Sequence, residues 1–459
     1  MGPVLGEERA RRIIRKVIAA SREGQIEAVL VGNDSYLTRF TQNYIHQNVG
    51  EKNTTLSVRV AIGKRVGVAE SNLLTDASIA ELVHRAETVA RLQPENPEFT
   101  SLPGPTPNAT GALNHSGGAE RPSPYDPPTA EASPADRAEK VKAIVSQCRA
   151  AGVNGSGAVT TGVTELATGN SLGIEAYTAA TMASVSTVVT GSTSSGYADT
   201  TVARLSQLDA GHVGAVALEK CTRSREPVSI DPGEYVVILE EPAVADMLQF
   251  LGYLSFSALA VQEQRSFMMG EPGRKVMDDK VSIWDDGWDP DGMPVPFDFE
   301  GVAKQKVVFI DHGRTGDVVH DSFTAAKAGC RSTGHALPAP NTYGPMPLNM
   351  FMAAGDASLQ EMIRSTKKGL LVTRFHYTNP VHPINVVLTG MTRDGTFLIE
   401  DGEIRRGVKN LRFTQSVVEA FSRVQMIGRT RSYKGGWFGG ATVPAVKVAG
   451  FAFTGATEF

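Results

Sequence analysis

A stretch rich in proline and glycine over residues 94–134 most strongly constrains how this chain can fold. Proline has no backbone N–H and a fixed φ, so it interrupts helices and the interior of sheets, and glycine weakens both elements. We therefore predict that the stretch is an extended connection or a surface insertion. The regular elements must lie on either side of it.

The residues before this stretch carry both helix and strand patterns. Isoleucines and valines over residues 13–18 have the spacing of an amphipathic helix. Three runs rich in β-branched residues follow at 26–32, 39–49 and 55–71, broken by glycine or asparagine, and they predict the strands of a meander. A second helix is predicted with Asp76 as its N-cap.

After residue 134 the pattern changes from mixed to β-rich. Residues 135–152 predict a helix, and the threonine- and valine-rich residues 157–191 predict short strands that pair with their sequence neighbours. A polar, turn-rich segment at 221–233 predicts a domain boundary. Beyond it, short apolar stretches alternate with glycine, aspartate and asparagine, which favours mainly antiparallel β structure.

The chain of 459 residues is long enough for two or three domains. Together the patterns predict an α+β fold. We expect an N-terminal domain of helices and a strand meander over residues 1–225, with the proline-rich insertion at 94–134, and a C-terminal, mainly antiparallel β domain over residues 226–459.

Composition argues against several classes of partner. The formal net charge is −4, so there is no electrostatic reason to expect nucleic acid or an anionic membrane surface. No run of about 18 apolar residues occurs, and we expect no membrane span. The three cysteines, Cys148, Cys221 and Cys330, have no close spacing, which is typical of a reducing cytoplasm rather than of a disulfide scaffold.

The nine histidines do not form a zinc motif. No two of them are closer than six residues, and neither HExxH nor HExxxH occurs. His376 and His382 flank Asn379 and Pro380 in a predicted loop and form only a weak pair. We interpret the histidines as structural or solvated.

Two adjacent carboxylates, Glu240 and Glu241, follow an apolar run and precede a helix pattern in YVVILEEPAVADMLQFLG, residues 235–252. Successive residues on a helix point in different directions, so the pair cannot share one proton. Pro242 comes directly after them. The pair is therefore predicted to form the first turn of a helix, where carboxylates are favoured by the helix dipole.

Two further features could belong to an unrecognised catalytic centre. The acidic residues 285–291 suggest calcium, but an EF-hand register would place Gly287 at the first ligand position. Cys330 and His335 are candidates for a thiol nucleophile and its base. A stand-alone hydrolase built from these residues is one alternative for the function, and a non-enzymatic binding protein is another.

Several blocks in order along the chain resemble the TldD/PmbA family. They are SYLTRFTQNYIHQN, ELATGNSLGIEAY, RSFMMGEPGRKVMDDKVSIWDDG, TAAKAGCRSTGHA, MPLNMFMAAGD, GLLVTRFHYTNPVHP and LTGMTRDGTFLIEDGEI. The resemblance implies a cytoplasmic peptidase in which two related subunits, TldD and TldE (also called PmbA), associate around a chamber.

The same resemblance implies where a zinc site would lie. Aligned with the HExxxH helix of TldD, this chain has Glu240 and Ala245 at the histidine positions and Glu241 at the glutamate position, and a cysteine ligand would fall near Ser432 or Tyr433. All expected ligands are missing. The resemblance therefore implies a TldE/PmbA-type subunit without zinc of its own, with zinc expected in a TldD-like partner.

The resemblance also suggests which residues contact an extended peptide substrate or the partner. Polar residues beside strand ends in RFHYTNP and LTGMTRDG are the candidates, and strand addition is the expected mode of peptide capture. Whether this chain itself catalyses proteolysis stays open. The candidate contact residues are Arg374, His376, Tyr377, Asn379, Thr389 and Arg393.

Overall fold

The computed structural model describes residues 4–105, 124–436 and 438–457. Its helices are α1 (Glu7–Ala20), α2 (Asp76–Leu92), α3 (Pro127–Ala130), α4 (Pro134–Ala150), α5 (Ala210–Arg223), α6 (Glu241–Leu254), α7 (Ala258–Gln262), α8 (Ser322–Ala328), α9 (Leu359–Arg364) and α10 (Val417–Ser422). Its strands are β1 (Gln25–Thr41), β2 (Tyr44–Ile62), β3 (Arg65–Ser71), β4 (Asn154–Asn170), β5 (Glu175–Thr190), β6 (Ser195–Val202), β7 (Gly233–Leu239), β8 (Ile283–Asp285), β9 (Val307–Asp311), β10 (Arg314–Thr315), β11 (Asn349–Met352), β12 (Lys368–His382), β13 (Val387–Glu400), β14 (Glu403–Gly407), β15 (Leu411–Ser416), β16 (Val424–Gly436) and β17 (Gly439–Ala456).

The proline-rich stretch is described only at its two ends. Residues 94–105 contain neither helix nor strand, as predicted, and residues 106–123 lie outside the described part of the chain. The expectation that the whole stretch lacks helices is wrong near its end, where Asp126 caps the short helix α3 and prolines occupy its first positions. Proline is tolerated there because those N–H groups have no partner within the helix.

The first sheet contains six strands, all antiparallel, in the order β3-β2-β1-β4-β5-β6. Most strands pair with their sequence neighbours, as predicted, but β4 pairs with β1 rather than with β3. The long strand β1 can hold a partner along each edge, since it spans 17 residues while β3 spans 7. Apolar faces of α1 and α2 pack near β1 to β3, and those of α4 and α5 pack near β4 to β6.

Two local details differ from the sequence prediction. The run at 39–49 is not one strand, because Gln42 and Asn43 adopt left-handed conformations, with φ of 49° and 65°, and turn the chain from β1 into β2. The Asn43 side chain accepts a hydrogen bond from the Gly155 amide at 2.7 Å. The N-cap of α2 is Thr75 rather than Asp76, which begins the helix.

The second sheet contains eleven strands and is mainly antiparallel, which confirms the predicted fold class. Two of its pairings are parallel, β7 with β12 and β11 with β17. Strand β7 also pairs with β17, so β7, β12, β13, β15 and β17 form a closed ring. Helix α6 contributes Val244, Met247, Leu248 and Leu251 to the same hydrophobic core as these strands.

Buried contacts join the first sheet to the segment between β8 and β9. Phe297 is 1% exposed and packs against Val29 and Leu166 of the first sheet. Arg59 Nη2 on β2 donates to Glu27 Oε2 at 2.8 Å and to Glu300 Oε1 at 2.9 Å. Burial raises the pKa of Glu27 to about 7, although the charge of Arg59 acts to lower it.

The boundary between residues 225 and 226 stays a prediction. In the described residues we find no helix both long and apolar enough for a membrane span.

Candidate functional site

The site is built at the junction of strand β7 and helix α6. Val237, Ile238 and Leu239 are fully buried, because β7 lies between β12 and β17. The Glu240 amide donates to the Val372 carbonyl of β12 at 3.0 Å, and the helix begins at the next residue. The sheet therefore fixes where the first turn of α6 starts.

Glu240 is the N-cap residue of α6, but its side chain makes no capping hydrogen bond. Its Oε2 instead accepts a hydrogen bond from Lys220 Nζ of helix α5 at 2.7 Å. The two side chains are only 11% and 15% exposed. The prediction that Glu240 and Glu241 lie at the start of a helix is correct, and a lysine from another helix binds the Glu240 carboxylate there.

Glu241 lies beside two lysines. Burial raises the pKa of its carboxyl group and the charge of Glu240 adds to this, while Lys434 and Lys220 act in the opposite direction. Lys434, on β16, donates from Nζ to the backbone oxygen and to Oδ1 of Asp199 on β6, both at 3.0 Å. The first turn of α6 thus lies near two ion pairs, Lys220–Glu240 from helix α5 and Lys434–Asp199 between the two sheets.

The side chains at the motif positions do not fit a catalytic zinc ion. Such an ion needs about three protein ligands with available lone pairs. Ala245 offers a methyl group and is 2% exposed, and the Glu240 carboxylate is bound by Lys220. Burial raises the pKa of Tyr433 to about 12, so this phenol stays protonated. Among the described residues, no group of three or more His, Cys, Asp or Glu side chains could hold a metal ion.

The predicted contact residues all lie on the β12–β13 hairpin. Across it, Arg374 is opposite Arg393, His376 is opposite Met391, and Asn379 is opposite Thr389. The hairpin therefore brings the two sequence blocks together. The predicted loop between His376 and His382 is wrong, because both residues belong to β12, although the pairing register shifts there.

These candidates divide into packed and exposed side chains. Arg374 stacks 4.1 Å from the ring centroid of Tyr197 and is bonded to Asp394. Thr389 Oγ1 donates to the Phe413 carbonyl at 3.0 Å. The remaining candidates are exposed and could reach a ligand. They are His376, Tyr377, Asn379 and Arg393.

Strand β6 contributes alternate residues to the second sheet's side of the site. Ser195 Oγ donates to Asp394 Oδ1 at 2.8 Å. Two and four residues further along β6, Tyr197 stacks with Arg374 and Asp199 pairs with Lys434. Since alternate residues of a strand share a face, one face of β6 holds Asp394, Arg374 and Lys434 in turn.

Cys330 and His335 do not form a nucleophile and base. His335 is 1% exposed, and its ring nitrogens lie 2.9 Å from Thr333 Oγ1 and 2.9 Å from Asp285 Oδ1. Burial lowers the pKa of His335 and also raises that of the exposed Cys330 thiol. The thiol is therefore not activated by this imidazole.

The acidic segment is explained by structure rather than by calcium. Burial acts to raise the pKa of Asp285, but Lys304 and His335 lower it to about 2. Asp286 and Asp289 accept hydrogen bonds from backbone amides two residues further on, and Asp291 pairs with Arg431 at 2.7 Å. These are turn-forming and pairing roles.

Sequence reasoning did not find Lys220, Asp199, Lys434 or Asp246. Asp246, directly after Ala245, accepts a hydrogen bond from Thr378 Oγ1 at 2.5 Å, and burial raises its pKa to about 6. No local motif marks these residues, since each partner comes from a distant segment.

The fold and the strand-to-helix junction define a two-sheet α+β protein. Two family models match the chain: PmbA/TldA metallopeptidase domain 1 over residues 26–90, and the PmbA/TldA metallopeptidase C-terminal domain over residues 232–455. Together they match more than half of the chain. The chain belongs to the PmbA/TldD family, which confirms the resemblance seen in the sequence.

Individual relatives are distant. A metalloprotease of Methanothermobacter thermautotrophicus is 24% identical over 229 residues, 49% of this chain and 49% of that protein. A metalloprotease TldD homolog of Buchnera aphidicola is 26% identical over 159 residues, 34% of this chain and 32% of that protein. The chain thus matches half or less of the length of these curated relatives.

A solved structure extends the likeness to the whole fold. The crystal structure of TldE from Thermococcus kodakarensis superimposes with a TM-score of 0.85 at 20% identity, covering 97% of this chain and 99% of that one. At this identity the comparison establishes a common fold.

Proposed function

We propose that this chain is a TldE/PmbA-like subunit that lacks zinc, associates with a TldD-like metallopeptidase, and contributes to binding an extended peptide. The observation that carries the proposal is the buried Lys220–Glu240 ion pair, which occupies a motif position with a charge pair instead of a metal ligand. Proteolysis is assigned to the zinc of the partner. The TldE fold and the TldD-named relative support this division.

The exposed side of the β12–β13 hairpin is the proposed contact surface for substrate or partner. His376, Tyr377, Asn379 and Arg393 supply hydrogen-bonding groups there, while Arg374 and Thr389 hold the hairpin in place. Strands in the closed ring have neighbours on both sides, so strand addition is proposed only at strands outside the ring.

We further propose a cytoplasmic location without direct contact to nucleic acid or membranes. Cys148, Cys221 and Cys330 are all free, which suits a reducing compartment. The formal net charge of −4 provides no general attraction to polyanions.

The test is reconstitution with a TldD-like protein that carries HExxxH and is encoded in the same genome. Each chain is purified alone and mixed, and size-exclusion chromatography with light scattering, zinc analysis and cleavage of casein and of an unstructured peptide are measured. We expect a joint assembly, zinc in the partner, and cleavage that disappears when the partner's motif glutamate is changed to glutamine.

The same samples can reject the proposal. Stoichiometric zinc and peptide cleavage in this chain alone, both lost in Glu240→Gln or Glu241→Gln, would show that it is an independent metallopeptidase. Undiminished cleavage by the partner without this chain, together with no joint assembly, would reject the subunit role.

A further inference from the structure

A cavity of about 420 Å³ lies beside Glu240, between helices α5 and α9 and the second sheet. It is separate from the exposed residues of the β12–β13 hairpin. Its volume is in the range of pockets that hold small ligands. None of the roles described above uses this space.

Six of the eleven residues that line the cavity are apolar, and the other five are Glu219, Lys220, Arg223, Glu240 and Gln360. Leu371 and Phe397 are 4% and 1% exposed, and they belong to a hydrophobic cluster with Ile363. Leu359, which also lines the cavity, is 37% exposed, so the apolar surface continues to the outside. Val216 of α5 and Ile404 of β14 are the other two apolar residues of the lining. This side of the cavity therefore favours a guest with an apolar group.

The polar end of the cavity is the Lys220–Glu240 pair. Lys220 uses one ammonium N–H for Glu240 Oε2 at 2.7 Å, and an ammonium has three N–H groups. The carboxylate likewise retains acceptor capacity at Oε1. Because the two charges compensate each other, the end offers both a donor and an acceptor without a net charge.

A second ion pair lines the cavity. Arg223 Nη2 pairs with Glu219 Oε1 at 2.9 Å, and both residues line the cavity. A guest with a full charge would lose hydration without meeting an unpaired counter-charge. A neutral backbone amide matches the polar end, since its C=O can accept from Lys220 and its N–H can donate to Glu240.

We propose that this cavity is a subsite for one large apolar residue of a bound peptide, of leucine or phenylalanine size. Its side chain lies against Leu371, Phe397 and Ile363, and its neutral backbone amide bonds to the Lys220–Glu240 pair. This inference rests on the proposed peptide-binding role. It adds a residue preference, which the exposed hairpin does not supply.

The first test uses N-acetyl-L-leucinamide as the probe on the full chain. Methyl-detected NMR follows Leu359, Ile363 and Ile404 during titration. We expect saturable shifts at these methyl groups. N-acetyl-L-alaninamide should bind about tenfold more weakly, because less apolar surface is buried. N-acetyl-L-leucine, which carries a carboxylate, should also bind more weakly than the amide.

Variants then locate the binding. Val216→Phe adds volume to the cavity wall and should weaken leucinamide binding about tenfold, and Lys220→Met should remove the preference for the amide. Leu92→Phe is the control, because Leu92 is an exposed residue of α2 that does not line the cavity. Circular dichroism confirms that each variant is folded.

Absence of leucinamide shifts in the wild-type chain would overturn the subsite. Equal affinity for the alanine and leucine probes, or leucinamide binding unaffected by Val216→Phe, would also overturn it. Tighter binding of N-acetyl-L-leucine than of its amide would reject recognition of a neutral amide. Assembly with the TldD-like protein is measured on the same samples. Its persistence alongside a negative titration would reject the subsite and leave the proposed subunit role standing.

Discussion

Replacing Asp246 by asparagine should make the protein more stable at neutral pH. Asp246 lies on helix α6 directly after the motif position Ala245, and burial raises the pKa of its carboxyl group to about 6. Its hydrogen bond from Thr378 favours the charged form but does not offset burial. Asparagine is close in shape, carries no charge and can still accept that hydrogen bond.

The sign follows from the two pKa values. Below the ordinary value of 3.8, Asp246 is protonated in both the folded and unfolded states, and it contributes no pH dependence. Between 3.8 and about 6 only the folded state keeps the proton, so stability falls as pH rises. The full shift corresponds to about 3 kcal/mol at pH 7, and to less where water reaches the carboxylate.

Urea unfolding of the wild type and Asp246→Asn at pH 4 and pH 7.5 measures the effect. We expect the variant to gain up to about 3 kcal/mol at the higher pH relative to its difference at the lower pH. Asp356→Asn, at an exposed position, is the control and should show no such pH-dependent gain. An equal loss of stability at both pH values would refute the reasoning, because Asp246 would then matter as a hydrogen-bond acceptor rather than as a buried charge.

Three further predictions test the contacts around the site. Lys220→Met should lower the free energy of unfolding by about 3 kcal/mol, because Glu240 stays buried without its partner. Adding Glu240→Gln should recover part of this stability, which a double-mutant cycle by urea unfolding measures. Strict additivity of the two changes would contradict the ion pair. Phe297→Ala should destabilise the chain by about 3 to 5 kcal/mol because it removes a buried ring packed against the first sheet, and an unchanged melting temperature would argue against that packing. Cys330→Ser should change neither the stability of the chain nor peptide cleavage by the reconstituted complex. His335→Ala should destabilise the chain by about 3 kcal/mol, because Asp285 loses a buried partner. Loss of cleavage in Cys330→Ser with stability retained would support a thiol mechanism.

The fold class could be predicted because hydrophobic period and turn residues are local signals. The helix at 7–20 and most strands of the first sheet follow directly from them. The turn at Gln42 and Asn43 was missed because it contains no glycine, the usual residue for a left-handed turn. Closure of the ring between β7 and β17 could not be predicted, since that pairing joins segments near opposite ends of the second half of the chain.

For the site, the sequence supports a prediction only about what is absent. Once the family blocks are aligned, zinc ligands are predicted to be missing at Glu240 and Ala245, and this stays a prediction. Their replacements are not visible, because Lys220 lies 20 residues from Glu240 and Asp199 lies 235 residues from Lys434. A lysine on an ordinary helix face carries no signal that its ammonium will be buried.

Nearby lysines explain how two adjacent carboxylates are held at the junction of β7 and α6. A buried carboxylate without a counter-charge is costly, so Glu240 and Glu241 could persist at the start of α6 only with cations nearby. Lys220 and Lys434 supply that charge from α5 and β16, and Asp199 fixes the second lysine from the first sheet. The junction therefore serves as a contact between the two sheets, and surfaces for peptide and partner are to be sought beside it, at the cavity next to Glu240 and on the exposed β12–β13 hairpin.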